Sequence, residues 1–332
     1  MEAVRAAEEY VKETRGDGAR WLETPEAQLV DTLSGLGLQA GAIDEVLMHY
    51  GSLQSHPLFG PLVGGMIERL VRDREHLDEP IPIWPDFDEW GDVGRLWWIY
   101  VFALATPSLI ECHRRRGLPE PTIRRTLSAL QRHVDIHYRK WGTLGVDAGW
   151  WMIPLLRGEL VHVGSLQFHR LHLGVSTLAP DPWFSEEESF TLGPGFRRGD
   201  EAWGIHIPDG ADLTRGALDA TFEEARETLS RAWPARTRRV ATLQSWMMDP
   251  RLASLVGGDS RIVNFQRRFH LTARWGEDVD NVVEFVFREP ASHLRGLVAR
   301  TRVQAAVLQV LRSGDAWRDG VGWMDFDAPS VH

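Results

Sequence analysis

The sequence predicts an α+β protein: a helical N-terminal half, then a half built on a mixed, mostly antiparallel β-sheet flanked by helices. Three observations carry this expectation. The chain has 332 residues, room for two domains at roughly 100–200 residues each. Up to about Gly145, apolar residues recur at spacings of three and four, the period of an amphipathic helix. After Trp150, short runs of β-branched and aromatic residues bounded by turn formers take over. The expected domains are 1–145, helical, and 146–332, carrying the sheet.

Helical periodicity runs through 25–34 (PEAQLVDTLS), 41–50 (GAIDEVLMHY) and 61–72 (PLVGGMIERLVR), the last opening on a proline suited to a first helical turn. Residues 78–90 hold three prolines and read as a loop. Leu96–Cys112 is the next helix. After the turn at Gly117-Leu118-Pro119 a helix is expected from about Pro121 to Trp141, closed by Gly142 and Gly145. Beyond Trp150, 159–168 and 170–176 read as strands, 178–200 as a loop and 202–207 as a short strand ending at Pro208-Asp209-Gly210. Residues 214–233 form a helix capped by Thr214 or Asp212 and stopped by Pro234. A strand over 239–247 follows, then a helical region over 250–269 broken at Gly257-Gly258. A hairpin-like pair over 269–274 and 282–287 comes next, and a last helix over 291–311.

Composition narrows the function. Hydrophobic residues at 43% and charged residues at 25% are ordinary for a globular protein and exclude disorder or coiled coil for the whole chain. A net charge of −10 repels phosphate backbones and anionic lipid, so neither nucleic acid nor a membrane surface is an expected partner. The basic runs 113–116 (HRRR) and 236–239 (RTRR) read as solvated helix ends and loops. The single cysteine, Cys112, cannot form an intrachain disulfide, and no signal peptide is legible, which points to the cytoplasm. The most apolar stretch, Leu96–Ile110, is short of the roughly 20 residues of a membrane span and reads as a buried helix. Fifteen tryptophans imply large apolar surfaces, either core or pocket lining.

The strand–loop–helix unit over 202–233 carries the first chemical signal. A strand running into a helix N-terminus aims free backbone N–H groups at one point, where the helix dipole favours an anion. Residues 208–215 supply that geometry and Arg215 a counter-charge, while Asp209 and Asp212 oppose it unless they point away or act as caps. An ordinary strand-to-helix turn accounts for the same residues.

Several strings then become familiar in order: GELVHVGSLQF (158–168), GIHIPDGADLT (204–214), QSWMMDPRLASLV (244–256) and SRIVNFQRRF (260–269). In the helical half the similarity is thinner, mainly GLPEPTI (117–123) and the approach to Trp151. With these strings the chain resembles the GNAT-like acyltransferases of bacteria that carry a helical N-terminal domain ahead of a GNAT-like C-terminal domain. The resemblance implies that 202–207 and 239–247 are the fourth and fifth strands of a GNAT fold, splayed around the pantetheine arm of the donor. It implies an N-acyltransferase using acetyl-CoA or another acyl-CoA, with an amine of a small molecule as acceptor. It also makes 208–214 the cofactor loop, with Ile207, Gly210, Leu213, Thr214 and Arg215 against the donor. This loop lacks the glycine spacing of the usual Gln/Arg-x-x-Gly-x-Gly/Ala motif, which leaves an acyl-carrier-protein thioester as a possible donor. A non-catalytic binding protein on the same scaffold is the alternative function, and in that case Trp203 or Trp246 fills the gap between the splayed strands.

Acyl transfer needs a base, donors for the oxyanion and a proton for the leaving thiolate. His206 is the candidate base, on the strand that flanks the thioester and on the same face as Gly204, or else a hydrogen-bonded core histidine. Ser245 and Asp249 end the facing strand and are further catalytic candidates, Asp249 also being a plain helix cap before Pro250. Gln167, His169, Trp246 and Asn264 are candidates for holding the acceptor. His133 and His137, four apart on one helix face, raise a metal reading, but the sequence identifies no third ligand and no metal is expected.

Overall fold

The computed structural model describes residues 18–76, 90–175, 184–234, 240–277 and 279–327, together with Arg5, Trp84 and Phe87; the basic run at 236–239 and most of the proline-rich loop at 78–90 lie outside them. The chain divides into two compact units, Met1–Val163 with Thr228–Pro234, and Gly164–Glu227 with Ala235–His332.

The first unit is helical: α1 (Glu26–Gly35), α2 (Ala40–Ser55), α3 (Phe59–Arg72), α4 (Trp97–Arg115), α5 (Glu120–Leu127) and α6 (Ala129–Trp141), with strand β1 (Leu160–Val163) near its end. Helix α4 is the centre. Trp97, Ile99, Tyr100, Val101 and Phe102 are all fully buried, so it is apolar on every side, as a core helix must be. The Tyr100 hydroxyl donates to the Val46 carbonyl at 2.8 Å, satisfying the one polar atom its burial would strand. Phe87 stacks on Trp97 at 3.9 Å and Phe59 on Trp90 at 4.5 Å, so these tryptophans are spent on this unit's own core. Cys112 is a buried free thiol. The helix expected over 121–141 is two. Ser128 separates them, its hydroxyl donating to the Arg125 carbonyl at 2.8 Å, the local bond by which serine competes with helix continuation. His133 and His137 bond through Nδ1 to the carbonyls of Asp147 and Thr143, at 2.6 and 3.0 Å. No helix among the described residues is long and apolar enough to cross a membrane.

The second unit carries the sheet: β2 (Leu166–His172), β3 (Glu201–His206), β4 (Val240–Ser245), β5 (His270–Glu277) and β6 (Arg318–Asp325), in the order β2-β3-β4-β6-β5. All pairs are antiparallel except β3–β4, which is parallel. Helices α7 (Glu186–Leu192), α8 (Arg215–Ala232), α9 (Leu252–Val256), α10 (Arg261–Gln266), α11 (Val279–Phe287) and α12 (Arg302–Arg312) accompany it. Side chains of alternate residues sort to opposite faces. One face holds Phe168 and Trp203, packed with Phe222 of α8 and with Phe326. The other carries a cluster of Leu171, Leu173, Phe184, Phe196, Ala202, Val240 and Val321.

Four sequence expectations change. The break between the first two strands falls at Gly164, where φ is 55° and a Cβ would sit 2.2 Å from the Thr221 hydroxyl, so only glycine turns there. The described part of the 178–200 loop contains α7, opened by a capping box between Ser185 and Glu188. Residues 282–287 are helical: the apolar run buries Val282 and Val283 against Val256, Val263, Val307 and Trp317. The last helix starts at Arg302, capped by the Thr301 side chain, after an isolated 3-10 turn at Ala291–Gly296. The strand that pairs with the C-terminal part of the sheet is β6.

Candidate active site

Register brings the site together. Across the antiparallel β2–β3 pair, Gln167 stands opposite His206 and His169 opposite Gly204. Strands β3 and β4 pair at Trp203–Ala241 and Gly204–Thr242. Past those positions no further β3–β4 pairing is present among the described residues, while β4 continues along β6 to Ser245–Gly320. The two parallel strands therefore part, with His206 on one bank and Gln244 on the other. Because register partners share a face, Gln167, His169, Gly204, His206, Thr242 and Gln244 form one polar surface at the opening.

His206 is half-buried as a residue, with Nε2 wholly buried. Burial, reinforced by the His169 imidazole 5.6 Å away, pushes its pKa down to about 3. The ring is thus neutral near pH 7 and offers a lone pair. Gln167 is only 5% exposed as a residue and stands opposite His206 across β2 and β3. Gly204 lies between: a Cβ there would come within 2.6 Å of Leu171 Cδ2, so a side chain would have to push the end of Leu171 aside.

The loop after His206 runs into α8. Asp212 accepts from the Thr214 N–H at 2.9 Å, and that bond holds its carboxyl below the usual aspartate range. The first N–H groups of α8 have no intrahelical partner by construction. Asp209 is ion-paired with Arg288, and Asp219 with Arg268 at 2.6 Å and Arg215 at 3.8 Å, so the acidic residues that would repel an anion are countered. Ile207, Leu213 and Thr214 are half-buried, and Gly210 and Arg215 exposed.

The remaining candidates lie elsewhere. Asp249 is fully buried and saturated: Arg251 donates to both oxygens at 3.0 and 2.7 Å, and the Arg251 and Arg318 backbone N–H groups add bonds at 2.8 and 3.0 Å. That is the geometry of a lock between the end of β4 and the start of β6, not of a proton acceptor. Ser245 falls on the sheet face opposite His206 by alternation, and its hydroxyl accepts from the Met247 N–H at 3.2 Å as a cap. Trp246 packs on the α9–α12 core, its carbonyl accepting from Trp317 at 2.8 Å. Asn264 is exposed and accepts from Arg267 at 3.3 Å. Trp203 points to the α8 face. Neither Trp203 nor Trp246 thus fills the opening from the His206 side, as the scaffold reading would require.

Sequence reasoning missed Thr242 and Gln244, and also two β6 residues on the same face, Trp323, which stands opposite Thr242, and Asp319, which accepts from Gln244 Nε2 at 2.8 Å. The first two were within reach: once strands 202–207 and 239–247 are neighbours, alternation along ATLQS puts Thr242 and Gln244 on the His206 face. The others were hidden with β6 itself.

Comparison with known proteins covers both units. Residues 27–158 match the N-acyltransferase N-terminal domain and residues 160–324 the GNAT-like C-terminal domain. Among solved structures, the chain is similar to an acyltransferase in complex with decanoyl-CoA and teicoplanin, at 27% identity over 89% of this chain and 87% of that one, with a TM-score of 0.76. It is similar to a mutant acyltransferase holding octanoyl-CoA, at 26% identity over 90% of this chain and 88% of that one, TM-score 0.76. A third, holding decanoyl-CoA alone, matches at 26% identity over 96% of this chain and 99% of that one, TM-score 0.74. No curated protein matches the sequence.

Proposed function

The chain belongs to the GNAT-like acyltransferases that join an N-acyltransferase N-terminal domain to a GNAT-like C-terminal domain, and from that premise we propose that it moves an acyl group from acyl-CoA to an amine of a small molecule. One observation carries the reading: β3 and β4 part beyond Gly204 and Thr242, with His206 at the parting. The residues fit an acyl thioester. The opening lies between two strands whose backbone groups are unpaired with each other, and the N-terminus of α8 with Arg215 suits the donor's phosphates. The bound thioester supplies an activated acyl carbon and a thiolate leaving group.

The chain's own residues do the rest. Ile207, Gly210, Leu213 and Thr214 hold the donor along the loop. His206 Nε2 accepts the proton that the amine loses and returns it to the thiolate. Gln167 and His169 orient the acceptor beside it. The decanoyl-CoA and octanoyl-CoA of the neighbouring structures favour a medium-chain donor over acetyl-CoA, and teicoplanin makes a bulky small-molecule acceptor reasonable. A carrier-protein thioester presents the same pantetheine arm and remains the secondary donor. An acyl-CoA donor suits an enzyme of the bacterial cytoplasm.

Thermal unfolding with acetyl-, octanoyl- and decanoyl-CoA tests donor binding, because a ligand that binds only the folded chain raises its melting temperature. A rise that grows with chain length is expected. No rise with any of the three contradicts a CoA donor.

A further inference from the structure

We propose that the Thr242 hydroxyl donates to the carbonyl oxygen of the bound thioester and holds it as an oxyanion while the amine attacks. The inference rests on the acyl-transfer reading and deepens it, by assigning the charge that develops on the acyl group to a named side chain. Thr242 is fully buried, and its Oγ1 has no hydrogen-bond partner among the described residues. The other hydroxyls on the described strands are committed: Ser245 accepts from the Met247 N–H at 3.2 Å, and Thr272 donates to the Val321 carbonyl at 3.1 Å. A buried hydroxyl without a partner costs stability, and a carbonyl oxygen that enters beside it supplies the missing acceptor.

Position supports the assignment. Gly204 and Thr242 are the last paired residues before β3 and β4 part, so Thr242 stands at the closed end of the opening, on the His206 face. A Cβ at Gly204 would lie 3.5 Å from His206 Nε2, so the imidazole reaches back over Gly204 towards the row that Thr242 occupies, one strand spacing of about 5 Å away. Base and hydroxyl thus flank one point, while the Gln244 Nε2 further along the same bank donates to Asp319 at 2.8 Å. In the attack the amine lone pair forms the C–N bond and the carbonyl π pair moves to oxygen, where the Thr242 O–H meets it. In the collapse that pair re-forms C=O, the C–S bond breaks, and the thiolate takes the proton that His206 accepted. Thr242 keeps its own proton throughout. A donor shielded from water needs no solvent reorganisation when the charge appears.

The test is calorimetric binding of decanoyl-CoA and of S-decyl-CoA, the thioether that lacks the carbonyl, to the full chain without amine. Wild type should bind decanoyl-CoA about threefold or more tightly than the thioether. Thr242→Val keeps the shape and removes the hydroxyl; it should lose most of that preference and melt no lower than wild type. Thr242→Ser should keep most of the preference. With an amine present, T242V should lower kcat by about 10²–10³, far more than it raises the KM for decanoyl-CoA. Equal affinity of wild type for the two donors, binding of neither, a preference kept in T242V or lost in T242S, a less stable T242V, or wild-type turnover in T242V overturns the assignment. Acylation of benzylamine by decanoyl-CoA in the wild type reports on the acyl-transfer reading itself. A chain that binds both donors and acylates no amine sinks that reading, while the binding comparison still decides the role of Thr242.

Discussion

Gln167 and His206 face one another across β2 and β3, the first 5% exposed and the second an imidazole that burial keeps neutral. Keeping the imidazole neutral costs stability in acid, and a site that binds a polar acceptor gives both residues a use.

That pairing makes Gln167 a place where stability and function separate. Gln167→Met keeps the volume and removes the polar amide. The variant should be about as stable as wild type, since a Gln-to-Met change conserves volume, while the KM for the acceptor rises. Urea unfolding and steady-state kinetics check the two halves. A destabilised variant with unchanged KM would make Gln167 a structural residue.

Acid should unfold the protein early. His206 and His113 both have a folded-state pKa pushed down to about 3 by burial, His113 being further disfavoured as a cation by Arg116 and Arg74. In the unfolded chain each titrates near 6.5. The unfolded state then binds more protons below that value, so stability present above pH 6.5 is lost as pH falls from about 6.5 towards 3, by a few kcal/mol per histidine. His113→Leu should flatten the profile, since neither nitrogen of that ring has a partner and leucine leaves nothing to protonate. Urea midpoints at pH 7.5, 6.0 and 5.0 for both proteins decide it; identical slopes would contradict the account.

Asp249→Ala should cost about 1–3 kcal/mol, because it removes the acceptor of the Arg251 Nε and of the Arg251 and Arg318 N–H groups while Arg251 keeps Asp315 and the Ala316 carbonyl, and turnover per folded molecule should hold. A stable variant without turnover would return Asp249 to the catalytic group.

Gly320→Ala should also destabilise, by about 1–3 kcal/mol, since a Cβ there would lie 2.4 Å from the Met248 carbonyl oxygen and backbone cannot swing aside as a side chain can. A melting temperature equal to wild type would show that the β4–β6 ladder yields more than its spacing suggests.

The same glycine explains what was illegible. Much of the sheet and the His206 opening could be read because Trp203, Ile205 and Val240–Leu243 are ordinary strand residues beside clear turn formers. Strand β6 reads RDGVGWMD, charged at the ends and broken by Gly320 and Gly322. Both glycines are required by Met248 and Phe269 packing onto them, contacts that appear only in three dimensions. Helix α11 was mistaken for a strand because NVVEFVF is apolar without a face until Trp317 and α12 define one. Asp249 reads as a catalytic candidate for a similar reason: its partner Arg251 is two residues away in sequence, but Arg318, which completes the lock, is distant.

The most direct test is single-enzyme turnover of decanoyl-CoA with a panel of primary amines and teicoplanin, reading free CoA and product mass in wild type and His206→Ala. The account predicts a product heavier by the acyl group and one CoA released per product. It predicts a turnover number lower by about 10²–10⁴ in the variant, with the KM for decanoyl-CoA little changed. An H206A enzyme that is folded, binds the donor and turns over at the wild-type rate would contradict it.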